Sequence, residues 1–263
     1  MGSATRKALA GTHATLAALG RADLRVAEEL LAAGRVIGSS KQLRSALADA
    51  EADAAQKRAL VQAVFGSQLS VDAIRLLNEL TSNRWSSSVD LLEGVEELGF
   101  RVASASAPEL PIDAELFTVE RAVSSDAELE LALGSKLSPL DAKVKLVDRL
   151  LSGKASAQTL AIVNHLVQQP RGRRIGELLR RAADIVAEQR GFEIVTVTSA
   201  SPLTPAQLDR LVKGLEAQYG RALRVNTIVD PAVLGGVRVQ IGDDVIDGSV
   251  ASRLSSLRQK LAG

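Results

Sequence analysis

The sequence contains no cysteine, which excludes disulfides, thiolate nucleophiles and zinc–thiolate sites. Aromatic residues make up only 2% of the 263 residues, so alanine, leucine and valine must fill the core, a composition typical of closely packed helices. No apolar run approaches the roughly 18–20 residues that cross a bilayer, and we expect no signal peptide at the amino-terminus. With 32 basic and 31 acidic residues, the net charge of +1 gives no general attraction to nucleic acid or anionic lipid.

Residues that carry catalytic chemistry are equally sparse. His13 and His165 are the two histidines. They could form a metal pair, but a surface or boundary position on a helix is the simpler interpretation. No Ser–His–Asp spacing, metal motif or phosphate-binding loop occurs. The sequence therefore predicts a protein that is not an enzyme and that needs neither metal nor cofactor.

What the chain does contain is an internal repeat. The stretch GSSKQLRSALADAEADAAQKRALVQAVF, residues 38–65, matches SSDAELELALGSKLSPLDAKVKLVDRLL, residues 124–151, with Leu43 aligned to Leu129 (129 − 43 = 86). Each copy carries apolar residues at helical spacing, separated by Ser, Gly and Asn breaks, which predicts a bundle of short helices. A further amphipathic helix over residues 5–19 precedes the first copy, and we expect no separate counterpart of it in the second.

The pattern changes after residue 191. Alternating apolar residues predict strands near 194–197, 223–229, 237–241 and 243–247, and Thr204 and Pro205 predict the start of a helix that ends at Gly220. A last helix is predicted at about 250–261. The fold class is therefore mainly α: two tandem helical bundles, residues 1–105 and 106–191, followed by a small α+β domain, residues 192–263.

The carboxy-terminal domain resembles a known family. The stretches SASPLTPAQLDRLVKGLEAQYG, residues 199–220, and VDPAVLGGVRVQIGDDVIDGSVASRLSSLRQKL, residues 229–261, are similar to the signature of the F-type ATP synthase delta subunit, called the oligomycin-sensitivity-conferral protein in mitochondria. Both helical copies also resemble the amino-terminal domain of that family, which normally has one such domain. The matching signature positions, which we interpret as shaping the backbone, are Asp230, Pro231, Gly235, Gly236, Gly242, Asp247, Gly248 and Ser249.

The resemblance implies a non-catalytic peripheral-stalk subunit on the cytoplasmic face of a bacterial plasma membrane, and a generic helical adaptor that binds amphipathic helices elsewhere stays open as the alternative. Its expected partners are amino-terminal segments of the alpha subunit and the carboxy-terminal region of the b subunit, with membrane contact only through these partners and no nucleic acid. The family binds an alpha helix between the first and fifth helices of its bundle. That groove maps here onto Leu9, Leu16, Ile74 and Leu77. The second copy would be a spacer, or would hold another alpha segment differently.

One charged cluster stands out near the end of the second copy. It consists of Arg171, Arg173, Arg174, Arg180 and Arg181. A nucleic-acid site would need stacking aromatic residues or a known motif beside the arginines, and neither is present. A solvated helix face and contacts with acidic stretches of a partner subunit both stay open, and we expect these arginines to be candidates for the latter.

Overall fold

The computed structural model describes residues 2–20, 22–135, 137–233, 235–242 and 244–248. Within these residues the chain forms twelve helices and four strands, which confirms the predicted mainly α fold with a small α+β domain. The chain divides into two compact units, Met1–Val186 and Ala187–Gly263. The first unit holds both helical copies except the end of the last helix of the second copy. No helix of the described residues is both long and apolar enough to cross a membrane.

The first unit begins with six helices. They are α1 (Ser3–Ala18), α2 (Leu24–Ser39), α3 (Lys41–Ala48), α4 (Ala54–Phe65), α5 (Val71–Ser82) and α6 (Ser88–Ser106). Side-chain caps set the beginning of most of them: Asp53 forms a capping box at α4, and the Ser40, Ser70 and Ser87 side chains accept from the first turns of α3, α5 and α6.

Five more helices follow: α7 (Ile112–Ser124), α8 (Ala127–Gly134), α9 (Leu140–Leu151), α10 (Ala157–Gln168) and α11 (Ile175–Gln189). Helices α8, α9 and α10 begin and end 86 residues after α3, α4 and α5, so the repeat seen in the sequence is a repeat of structure. Lys57 and Lys143, a matched pair at this offset, are both 3% exposed. The repeat therefore preserves buried cations as well as apolar positions.

Helix α6 lies at the centre of the first unit. Every residue from Leu91 to Ser104 is buried except Glu93, as expected for a helix that is packed on all sides. It contacts α1, α2, α3 and α5 of the first copy and α10 of the second. Adding the repeat length of 86 residues to α1 gives residues 89–104, which fall inside α6. Helix α6 packs on α10 of the second copy, just as α1 packs on α5 of the first. We interpret α6 as both the last helix of the first bundle and the leading helix of the second. The boundary at residue 105 stays a prediction.

Trp85 and Gly94 bring the start of α6 close to the preceding loop. The Trp85 indole is 6% exposed, and its Nε1–H donates to the Leu80 carbonyl at 2.9 Å. A Cβ at Gly94 would lie 2.2 Å from Cη2 of this ring. Glycine is therefore required at this helical position by packing, since any side chain would overlap the indole.

The second unit contains β1 (Phe192–Ser199), α12 (Pro205–Tyr219), β2 (Ala222–Val229), β3 (Val237–Ile241) and β4 (Asp244–Asp247). The sheet order is β2-β1-β3-β4, with β1 and β2 parallel and the other pairs antiparallel. Thr204 caps α12 and Gly220 ends it at φ 67°, as predicted. The core of the unit is aliphatic: Val195, Val197, Leu215, Leu223, Val239 and Ile241. The predicted helix at 250–261 lies outside the described residues.

Candidate functional site

The predicted alpha-binding groove lies where α1 packs on α5. Leu77 is fully buried, and Leu9 and Leu16 are 8% and 4% exposed. Ile74 alone of the four is partly exposed. Three of the predicted side chains thus belong to the packed core of the first bundle, and Ile74 offers surface to a partner. The assignment of this groove to an alpha segment stays a prediction.

Partly buried polar contacts tie α1 and α5 to neighbouring helices. The Thr5 hydroxyl donates to Asp90 of α6 at 2.7 Å, and Glu29 of α2 accepts from the backbone N–H of Ser70 at 2.7 Å. Burial opposes the ionisation of Glu29, but the hydrogen bonds from Ser70 together with the hydrogen bond and charge of Arg25 outweigh it, so the pKa of Glu29 is lowered. The same contact recurs one repeat later, where Glu115 accepts from the Ser156 N–H at 2.9 Å.

A cluster of five charged or polar side chains, with Glu96 and His165 buried and the three arginines partly exposed, joins the two bundles. We call it the junction cluster: Arg35, Glu96, His165, Arg171 and Arg173. Glu96 of α6 accepts from His165 Nε2 at 3.0 Å and from Arg171, and Arg173 lies 3.7 Å from it. Arg35 of α2 reaches His165 Nδ1 at 3.3 Å. Because these side chains come from both copies and from α6, the cluster fixes one bundle to the other.

The junction cluster also sets the protonation of His165. Arg35 can only donate, so Nδ1 of His165 accepts, and the ring proton is on Nε2, facing Glu96. Burial lowers the pKa of His165, and the charges of Arg35 and Arg171 act in the same direction against the opposing effect of Glu96. Burial also opposes the ionisation of Glu96, but the hydrogen bond from His165 and the nearby arginines lower the pKa of Glu96. The expectation of a surface or boundary position is wrong for His165, which is 1% exposed.

The arginine cluster is engaged within the chain. Beyond the Arg171 contact to Glu96, Arg173 and Arg181 pair with Glu93 at 3.2 and 3.6 Å, and Arg180 pairs with Glu120 at 2.9 Å. Arg174 is exposed and has no ion pair within the described part of the chain. The paired glutamates are 60 to 88 residues away in sequence (180 − 120 = 60; 181 − 93 = 88), which is why the sequence alone did not reveal them. Contacts of these arginines with a partner stay a prediction.

An open apolar cavity of about 440 Å³ lies in the second bundle, and the sequence did not predict it. We call it the α7–α9 groove. Its floor is formed by buried Val123, Leu133, Val147 and Val163, and Leu150, 40% exposed, lies at its edge. A signal was present in the repeat: the groove positions Leu151 and Ala155 correspond to Phe65 and Leu69 of the first copy, so the second copy carries smaller side chains.

The described signature residues of the second unit lie in and beside its turns, and their role in shaping the backbone stays a prediction. Gly235 and Gly236 both have positive φ, 71° and 77°, which only glycine adopts freely. The Asp230 carboxylate accepts from the Ala232 N–H at 2.9 Å and so closes the turn at Pro231. The remaining described members are Gly242 at φ 54°, Asp247 paired with Arg238 at 3.4 Å, and Gly248, whose N–H donates to the Val237 carbonyl. Ser249 lies outside the described residues.

Metal ligands do not converge in the part of the chain that the structure describes, where no three His, Asp or Glu side chains could hold an ion. His13 pairs instead with Glu97 of α6 at 3.3 Å. Burial opposes the ionisation of Glu97, but the hydrogen bonds and charges of His13 and Arg101 outweigh it and lower the pKa of Glu97. The histidines thus act as connectors between helices.

Comparisons of the amino-acid sequence with known proteins point to one family. The family model described as "ATP synthase delta (OSCP) subunit" matches residues 100–261, from within α6 onward. An ATP synthase subunit delta from Leifsonia xyli is 56% identical, and one from Streptomyces griseus is 38% identical; both alignments cover all of this chain and all of the relative. A chain in the cryo-EM structure of the Toxoplasma gondii mitochondrial ATP synthase hexamer aligns with 64% of this chain and 97% of its own length, at 18% identity and a TM-score of 0.40.

The full-length alignments include the first bundle, which precedes the region matched by the family model. These two relatives, both named ATP synthase subunit delta, therefore carry sequence that aligns with the first bundle as well as with the second. Together with the helical repeat and the glycine-shaped sheet domain, these matches identify a non-catalytic subunit of ATP synthase: the chain belongs to the ATP synthase delta (OSCP) subunit family.

Proposed function

We propose that this chain is a stator connector that links the alpha/beta catalytic head of an F-type ATP synthase to the b-subunit stalk. It resists rotor torque during proton-driven ATP synthesis. The subunit is peripheral on the cytoplasmic face of the bacterial plasma membrane, and it reaches the membrane only through partner subunits. Its work is mechanical, since a stator needs extensive contact surfaces and a stiff body rather than reactive groups.

The observation that carries this proposal is the sharing of α6 between the two bundles. A flexible joint between the copies would let the head turn with the rotor, so that part of each rotation step would be lost. Here α6 is buried among helices of both copies, and the junction cluster adds charged hydrogen bonds across the same boundary. Residues 1–186 accordingly form one compact unit.

We assign one partner surface to each unit. The α1–α5 region of the first bundle receives an amino-terminal helix of an alpha subunit, with Ile74 as the accessible apolar contact. The carboxy-terminal α+β domain meets the end of the b subunit. Each interface must bury about 800 Å² per partner or more to persist under load.

Assembly in solution tests this proposal. The full chain is mixed with purified alpha/beta head and with the soluble carboxy-terminal half of the b subunit, and complexes are separated by size-exclusion chromatography. The expected result is a ternary complex that forms only when this chain is present. A chain that binds neither head nor b segment under conditions that preserve its helical fold would refute the proposed link.

A further inference from the structure

The end of α2 meets α10 at a hydrogen bond whose acceptor can take up a proton. Arg35 of α2 donates from Nη1 to Nδ1 of His165 on α10 at 3.3 Å. The Gln169 side chain, just after α10, donates to the Arg35 carbonyl at 3.1 Å. A Cβ at Gly34 would lie 3.9 Å from Cε1 of His165, so the α2 backbone runs close beside the imidazole. The two copies therefore meet here at a side chain that titrates in the acid range.

The guanidinium of Arg35 depends on this imidazole. An arginine side chain can only donate, and its strongest partners are carboxylates. Arg35 forms no ion pair with any residue that the structure describes, and its side chain is partly exposed. The cation is thus held by the lone pair of one neutral nitrogen atom, and it lies close enough to the surface to turn towards water.

The other groups around His165 do not lie at Nδ1. Glu96 of α6 accepts from Nε2 at 3.0 Å and is shared with Arg171 and Arg173. The Phe100 ring meets the imidazole edge-on, with 6.1 Å between the ring centroids. Three charged side chains that reach α10 from α7 and α9 contact residues of it other than His165: Glu115, Lys143 and Asp148.

A proton on Nδ1 turns the acceptor of this hydrogen bond into a donor. Two N–H groups, of His165 and of Arg35, then face each other, and both side chains carry a positive charge. The donation from Nε2 to Glu96 persists, because a protonated imidazole donates from both nitrogens. Protonation therefore removes the contact of α10 with α2 and preserves its contact with α6.

We propose that Arg35 and His165 form an acid-sensitive latch between the two bundles. While His165 is neutral, the latch is closed and fastens the end of α2 to α10. When His165 takes a proton from solvent on Nδ1, Arg35 turns to water and the end of α2 separates from α10, which stays attached to α6. The latch concerns the joint between the copies and does not depend on which partner either unit binds.

The pH range of the latch follows from the surroundings of the ring. Burial and the charges of Arg35 and Arg171 lower the pKa of His165 against the opposing effect of Glu96. The latch is therefore closed at neutral pH and opens below the ordinary histidine pKa of about 6.5.

Hydrogen exchange of the full chain, followed by mass spectrometry and corrected for intrinsic exchange, tests the latch at about pH 7.5 and about pH 5.5. Amides at the end of α2 and in α10 should lose protection by up to about tenfold per pH unit below the pKa of His165, and those of α4 should not. In His165→Gln, which keeps a donor and an acceptor but cannot take a proton, protection should be equal at both pH values. The matched control is His13→Gln, which removes the other histidine and should behave as the wild type.

Arg35→Ala gives an independent check, because it opens the latch without acid. At about pH 7.5 the end of α2 in this variant should show the low protection of the wild type at about pH 5.5. Unchanged protection there would overturn the proposal. So would a wild-type loss that persists in His165→Gln or disappears in His13→Gln, a wild type without any pH dependence, or equal losses in α4 and α10, which indicate global unfolding. Failure of the stator function would appear separately, in the head–stalk assembly experiment.

Discussion

The Glu96 carboxylate is the centre of the junction cluster, and Glu96→Ala should cost more stability than the loss of a partly exposed charge beside it, such as that of Glu93. Glu96 is 5% exposed and contacts His165, Arg171 and Arg173. Removing one member of a buried ion pair costs about 3–5 kcal/mol because the remaining charge is left without compensation. Arg171 and Arg173 keep 24% and 30% side-chain exposure and can partly rehydrate, which places the expected loss near the lower end, about 3 kcal/mol.

Two matched variants isolate the cause of that loss. Glu96→Gln keeps an acceptor for His165 but removes the charge, so it should cost less, about 1–2 kcal/mol. Glu93→Ala removes a carboxylate one turn earlier that is 25% exposed and pairs with Arg173 and Arg181, and an exposed pair of this kind is worth less than about 1 kcal/mol.

The assay is urea unfolding of the full chain followed by far-UV circular dichroism, which reports mainly on the helical unit. Hydrogen exchange should locate the effect: in Glu96→Ala, amides of α10 should exchange faster while those of α4, remote from the cluster, should not. Equal losses for Glu96→Ala and Glu93→Ala, within about 0.5 kcal/mol, would refute the reasoning that burial makes Glu96 the critical charge.

Single substitutions also test the packing, the protonation and the partner surface of the chain. Gly94→Ala should lower the free energy of unfolding by roughly 1–3 kcal/mol because the added methyl group overlaps Trp85. At Gly214 an added Cβ meets nothing within 4 Å, so Gly214→Ala should raise the free energy of unfolding by about 0.5–1 kcal/mol. Urea unfolding checks both, because the two variants should change the free energy of unfolding in opposite directions. Because the pKa of His165 is lowered in the folded chain, the unfolded chain binds a proton that the folded chain does not below about pH 6.5, and the free energy of unfolding decreases as the pH falls. His165→Gln should flatten this dependence of the free energy of unfolding on pH by up to about 1.4 kcal/mol per pH unit. An unchanged pH dependence would contradict a neutral His165. Ile74→Gln should weaken binding of an alpha amino-terminal peptide at least about tenfold without altering the unfolding midpoint, and unchanged affinity would remove Ile74 from the site.

Much of the fold could be predicted because it is encoded locally. Apolar spacing and caps indicate the helices, and the fixed offset of 86 residues that relates α3–α5 to α8–α10 is visible in the amino-acid sequence itself. The strands, the Thr204 cap and the left-handed Gly220 were predicted for the same reason, since each depends on a few adjacent residues.

The site depended on contacts between distant residues and could be predicted only in part. The sequence revealed a cluster of arginines but not that Glu93, Glu96 and Glu120 would face them. The sequence did not show that α6 serves both as the last helix of the first bundle and as the leading helix of the second, because the two roles fall on the same residues. The α7–α9 groove is lined by Leu151 where the first copy has Phe65, a difference that matters only once the surrounding helices are in place.

Coupling of ATP hydrolysis to proton pumping tests the central claim most directly. Inverted membrane vesicles stripped of this chain are compared with vesicles to which the purified wild-type chain has been returned. The account predicts that hydrolysis by the head persists without the chain, that ATP-driven acidification is lost, and that the returned chain restores it. Full acidification in vesicles that lack the chain would contradict a stator role.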